Sequence, residues 1–163
     1  MRLPITLTEI GPRISAGAFI LNSGLGKRGA DEETAARLHG FASGTYPFLK
    51  DMEPKQFVQA LSAAEIAIGG LLLSPFVPTA VAGAALTAFS GGLIGLYLNT
   101  PGMRKEGSLA PTPAGLPLAK DSWLLGIGVG LLTRGTVDRR QAKRLAKAQR
   151  KADKARQKAR AKR

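Results

Sequence analysis

Two residues have the charge and the setting to do chemistry in an apolar medium, Arg13 and Glu65. Glu65 is the one charged residue in the 48 positions from Gln56 to Met103. Arg13 interrupts the apolar stretch Ile10–Leu25, and Glu9 sits four residues before it, one helical turn away on the same face. A lone charge in hydrocarbon costs at least roughly 2.5–3.5 kcal/mol, and less when paired. Counted from Ile5 and from Ser74, both groups lie roughly 12–14 Å into their segments at about 1.5 Å per residue. This spacing predicts an ion pair between Arg13 and Glu65, with Glu9 sharing the arginine. Such a pair marks either a ligand or proton site, or a clamp that fixes helix register. One Arg and one Glu form a pair and not a relay, which favours the clamp.

The remaining candidates are sparse. Asn22, Lys27, Asn99, Lys120 and Asp121 gather at the opposite helix ends, and Lys27 with Asp121 is a candidate outer-end pair. Independently solvated ends account for these residues equally well. His39 is the only histidine and reads as a surface residue. One histidine and no cysteine exclude disulfides, thiolate metal sites, iron–sulfur clusters and any multi-histidine metal or haem site built by this chain alone. No nucleophile–base pair or phosphate loop is visible. The expectation is therefore a non-catalytic protein with no metal and no cofactor.

The elements that must position these groups read as helices in lipid. A bilayer crossing needs roughly 17–25 mostly apolar residues. Phe57–Leu73 and Thr79–Leu98 meet that length, joined by the turn Ser74-Pro75-Phe76-Val77-Pro78. The prolines stop one helix and start the next, because proline lacks a backbone donor and suits a first helical turn. Residues 5–25 read as a first span. A cleaved signal peptide fits less well, since Glu9, Pro12 and Arg13 crowd the segment and no A-x-A site follows. Residues 116–133 read as a fourth span, extended by Leu116–Ala119, with Lys120 snorkelling and Trp123 as an interface anchor. Gly26–Lys55 has five basic and five acidic residues and is predicted to form a short surface helix capped by Asp31. Asn99–Lys120 holds four prolines and reads as an irregular loop. Gly91/Gly95, Gly126/Gly130 and Ala63/Ala67/Gly70 are predicted to let helices approach closely, or less readily to form a dimer face.

The charge belongs to the end of the chain. The net charge is +13, and residues 131–163 hold 14 Lys+Arg against 2 Asp+Glu. Residues 134–163 are built of Ala, Lys, Arg and Gln, all good helix formers. The expected architecture is all-α: a four-transmembrane-helix bundle over residues 1–133, with spans at about 5–25, 57–73, 79–98 and 116–133, then a basic helical tail. The bias of Lys and Arg places both termini in the cytoplasm of a multi-pass protein of the bacterial plasma membrane. Arg139, Arg140, Lys143, Arg144, Lys147, Arg150, Lys151 and Lys154 are then the candidate groups for anionic lipid, at about 1 kcal/mol each near the surface. Nucleic acid or ribosome contact is the rival, without sequence recognition, since the tail has no aromatic residue.

Several stretches resemble the DoxX-like membrane proteins. They are Arg13-Ile14-Ser15-Ala16-Gly17 through Gly24-Leu25-Gly26-Lys27, then Glu65-Ile66-Ala67-Ile68-Gly69-Gly70-Leu71-Leu72-Leu73, then Lys120-Asp121. The resemblance covers about Pro12–Leu132, while the basic tail and the length of the loop Gly26–Lys55 fall outside the common pattern. It implies a four-helix bundle and, for some members, a small-subunit role in quinone-linked or other membrane redox complexes. Three functions follow as expectations. The first is an accessory or assembly subunit of a larger membrane complex. The second is a binder of quinone or lipid near Arg13 and Glu65, and the third is a membrane-tethered polyanion-binding module acting through the tail.

Overall fold

The computed structural model describes residues 5–160, and the side chains of all of these except 153–156 and 158–160. The chain is all-helical, with no strand among the described residues. The first helix, α1 (Leu7–Lys27), starts where the backbone N–H of Thr6 donates to Glu9 Oε2 at 2.8 Å. α2 (Glu32–Thr45) starts at Asp31, whose carboxylate accepts the Thr34 N–H at 2.8 Å. That bond holds the Asp31 carboxyl below its ordinary value. A short 3-10 turn, Pro47–Leu49, leads to α3 (Pro54–Leu73), which has proline in its first turn. α4 (Thr79–Asn99) begins directly after Pro78. A four-residue turn, α5 (Leu116–Ala119), precedes the 40-residue α6 (Asp121–Arg160).

α3 and α4 are the two described helices long and apolar enough to cross a membrane. Their bounds match the expected second and third spans to within a few residues. α1 carries Glu9, Pro12, Arg13 and Lys27, and the apolar part of α6 ends at Arg134. The expected continuation of the last helix back to Leu116 does not form. Pro117 sits in the first turn of α5, which ends at Ala119, and α6 starts afresh at Asp121.

The long helices pack as two antiparallel pairs, α1 with α3 and α4 with α6. The register of each pair is set by glycines that leave no room for a Cβ. Gly17 lies against Leu72 and Leu73, Gly69 against Leu21, and Gly24 against Glu65 and Ile66, so residues whose numbers sum to about 90 share a level. In the second pair Gly83 lies against Leu131 and Leu132, Gly128 against Thr87, and Gly135 against Ala80. The glycines singled out from the sequence play a different part. Gly70, Gly91, Gly126 and Gly130 have open space where a Cβ would stand, and Gly95 accommodates the Tyr46 ring. A small-xxx-small spacing marks close approach only on the face turned to a partner, and these positions mostly face outward.

The two pairs meet on a shared core of Ala16, Ile20, Leu72, Ala82, Leu86, Leu124 and Leu131. One end of the bundle gathers the start of α1, the turn 74–78, the start of α4 and Gly135 of α6. The other end gathers α2, the loop 100–115, α5 and the start of α6. α2 is tied down there: Tyr46 Oη donates to the Gly92 carbonyl at 2.7 Å, and Thr45 and Thr100 hydroxyls lie 2.9 Å apart. His39, expected as a plain surface residue, is half-buried. Its Nε2–H donates to the Leu49 carbonyl at 2.8 Å, and its ring meets Phe57 edge-on at 5.6 Å.

Candidate functional site

Arg13 is 2% exposed, and all five of its guanidinium protons are used. Nε donates to the Leu72 carbonyl at 2.8 Å, and Nη2 to Leu71 at 2.9 Å and Ser74 at 2.7 Å. Nη1 donates to the Val77 carbonyl at 3.1 Å and to Thr79 Oγ1 at 3.2 Å. The cause is visible in the turn. The last carbonyls of a helix have no partner within it, and Pro75 has no N–H to offer Leu71. A planar cation with a fixed fork of donors suits such a set of carbonyls, and it sits where the helix dipole is negative. Thr79 in turn donates to Glu9 Oε2 at 2.9 Å, so Glu9 joins the arginine through this hydroxyl.

Glu65 faces the other way. Its carboxylate takes two bonds from Lys27 Nζ, at 3.0 and 2.9 Å, and one from Ser23 Oγ at 3.3 Å. Lys27 Nζ also donates to Ser23 Oγ at 2.7 Å. One turn away, Ser62 Oγ donates to the Gly24 carbonyl at 2.7 Å.

The expected Arg13–Glu65 pair therefore does not form, and register is the reason. With Gly24 level with Glu65, Arg13 falls level with Val77, about 12 residues or roughly 18 Å away along the bundle. Matching depths from Ile5 and Ser74 placed α1 too far toward the other end. Each charge is instead satisfied at its own end, the cation by backbone carbonyls and the anion by Lys27. The Lys27–Asp121 pair does not form either, because Glu65 holds the ammonium. Asp121 lines the same cavity as Lys27 and Glu65 without an ion-pair partner among the described residues. Ser23, Ser62 and Thr79 complete these clusters and were not singled out in advance. Ser23 was findable, since it stands one turn before Lys27 on the same face.

The cavity at Glu65 has a volume of about 320 Å³ and lies between the two helix pairs, under α2. Among the described residues no cluster of His, Asp or Glu is arranged to hold a metal ion.

The tail continues α6 without a break. Arg139, Arg140, Lys143, Arg144, Lys147, Arg150 and Lys151 are all exposed, and the side chain of Lys154 lies outside the described residues. At 3.6 residues per turn those seven cations fall within an arc of about 140°. Arg134 pairs with Asp138 at 3.1 Å where the helix leaves the bundle.

No family model, curated protein or solved structure matches this chain.

Proposed function

We propose that this chain is a non-catalytic, four-crossing protein of the bacterial plasma membrane. It acts as an accessory subunit that presents a cationic helical arm to an anionic partner on the cytoplasmic side. The DoxX-like resemblance belongs to the same proposal. The membrane reading is supported by α3 and α4 and by large apolar side chains left on the outside of the bundle, among them Ile14, Phe19, Val81 and Val129. The non-catalytic reading is supported by how the buried polar groups are used. Arg13, Glu9, Ser62 and Glu65 all hold helix to helix.

The observation that carries the proposal is the unbroken α6. Its 25 residues beyond Gly135 rise about 38 Å from the bundle. An arm in line with a span keeps only its first turns within a Debye length of about 8 Å from the headgroups. That favours a partner approaching from the aqueous phase over the bilayer's own lipids.

Purification of the native protein from membranes in mild detergent, with cross-linking mass spectrometry, tests this. The full chain is expected to carry a stoichiometric partner that cross-links to Lys143, Lys147 or Lys151. A chain truncated after Gly135 is expected to lose it. A full-length chain that migrates alone, or a partner retained by the truncated chain, overturns the proposal. Protease protection of the arm on anionic vesicles alone would assign it to lipid instead.

A further inference from the structure

A groove of about 570 Å³ runs between α1 and the α5–α6 corner. Ser15 and Phe19 form one wall, and Leu116, Trp123 and Ile127 form the other. Phe19 and Asp121 line both this groove and the cavity at Glu65, so the two spaces adjoin. Each falls within the usual size of a small-molecule site. The groove is apolar along its length and carries charge only at the end nearest α5, at Lys120 and Asp121. Lys120 is exposed at the rim. Inside, Lys27 and Glu65 neutralise one another at 2.9 Å. Asp121, half-buried at the junction, is in neither of the ion pairs among the described residues. Asp121 is therefore a carboxylate outside any ion pair among the described residues, at the head of an apolar slot.

We infer that this slot binds an amphiphile with an apolar chain or ring system along Ser15, Phe19 and Ile127. Its head donates a hydrogen bond to the Asp121 carboxylate. The head is either an ammonium or a hydroxyl, since both donate to a carboxylate and a second anion would be repelled by Asp121. Ser23 and Lys27 lie beyond Phe19 and complete the polar pocket for the head. This inference rests on the membrane reading and is independent of what the arm binds.

Trp123 is the only tryptophan and stands in the groove wall, which makes its fluorescence a direct probe. The full-length protein in nanodiscs of neutral lipid is titrated with three brominated amphiphiles of one chain length, bearing an amine, a phenol or a carboxylate. A non-brominated analogue serves as competitor. Saturable, competable quenching by the amine, the phenol or both is expected, with none from the carboxylate. The arm that binds distinguishes a cationic from a hydroxylic ligand. Asp121→Asn is expected to weaken amine binding at least tenfold. Ser15→Phe fills the groove from an exposed position and is expected to abolish saturable quenching, while the circular dichroism and thermal midpoint stay unchanged. Linear, non-competable quenching by all three compounds overturns the inference, since it means only that Trp123 faces lipid. So does saturable quenching that survives in Ser15→Phe, or a preference for the carboxylate, which would put the head on Lys120.

Discussion

The two helix pairs are built on one glycine plan and held by different forces. In each, two glycines seven residues apart on one helix bracket a single glycine on the other: Gly17 and Gly24 around Gly69, and Gly128 and Gly135 around Gly83. Seven residues is two turns, so each glycine doublet faces the partner at two successive levels. The α1–α3 pair then adds bonds between helices. Arg13 grips the end of α3, Ser62 reaches the Gly24 carbonyl, and Lys27 reaches Glu65. Among the described residues the α4–α6 pair adds none of this kind. Two of its hydroxyls turn back on their own helix, half-buried Thr87 to the Gly83 carbonyl at 2.7 Å and buried Ser90 to the Leu86 carbonyl at 2.6 Å. Close approach thus comes from absent side chains, and among the described residues the side-chain hydrogen bonds made between the two helices of a pair fall in the first pair. Among the described residues the second pair is held by van der Waals packing.

Substitutions can break that contrast at several points. The largest effect belongs to Arg13→Met, which leaves four carbonyls and Thr79 without their donor. We expect a loss of about 3–5 kcal/mol in a denaturant titration of the detergent-solubilised protein, the scale for breaking a buried charged site. Arg13→Lys should recover only part of it, because three donors on a point charge cannot reproduce the fork. Full stability in Arg13→Met would show that packing alone holds the first pair as well.

Next in size is overpacking of the second pair. Gly83→Val should cost about 1–3 kcal/mol, while Gly91→Val, on an open face, should leave the same midpoint nearly unchanged. Equal effects at the two sites would remove Gly83 from the interface. A smaller effect is expected from Ser62→Ala, about 1 kcal/mol for one lost hydrogen bond to a buried carbonyl. Thr87→Val, whose bond lies within its own helix, should change less than Ser62→Ala.

The smallest effect concerns α2. The Asp31 carboxyl is held below its ordinary value by the Thr34 N–H. A depressed value means that the cap stabilises fully above the unfolded carboxyl range, near pH 4, and is lost as pH falls through the folded value. Protection of the Thr34 and Ala35 amides from exchange, relative to the free-chain rate at the same pH, should fall below that range in the native chain. In Asp31→Ala that protection should be low at every pH, with the rest of the bundle unaffected.

Legibility in the sequence followed the length over which each signal extends. The helices α3 and α4 and the turn between them were readable because an apolar run, two prolines and a charge gap all agree over 48 residues. Asp31 was readable because a cap acts within three residues. The partner of Arg13 was not. It depends on how far α1 slides along α3, and that is decided by Gly17, Gly24 and Gly69, where the Gly17–Gly24 spacing is seven residues and not the four of a small-xxx-small pattern. Arg13 and Glu65 were recognisable as buried charges, but a depth count from helix ends carries an error of several residues. Here the error is about 12 residues, more than three turns, and it exchanges Glu65 for the carbonyls of Leu71 and Leu72.

Because α6 is one rod, the amphiphile slot and the basic arm share a single rigid body. The start of that rod borders the slot at Asp121, and its first fifteen residues lean on α4 through Gly128 and Gly135, with no side-chain hydrogen bond between the two helices among the described residues. A rotation of about 10° about Gly135 would carry the far tip sideways by roughly 7 Å, given about 38 Å of helix beyond that point. Occupancy between the pairs would therefore be felt as displacement at the far end of the arm, with Gly135 as the fulcrum.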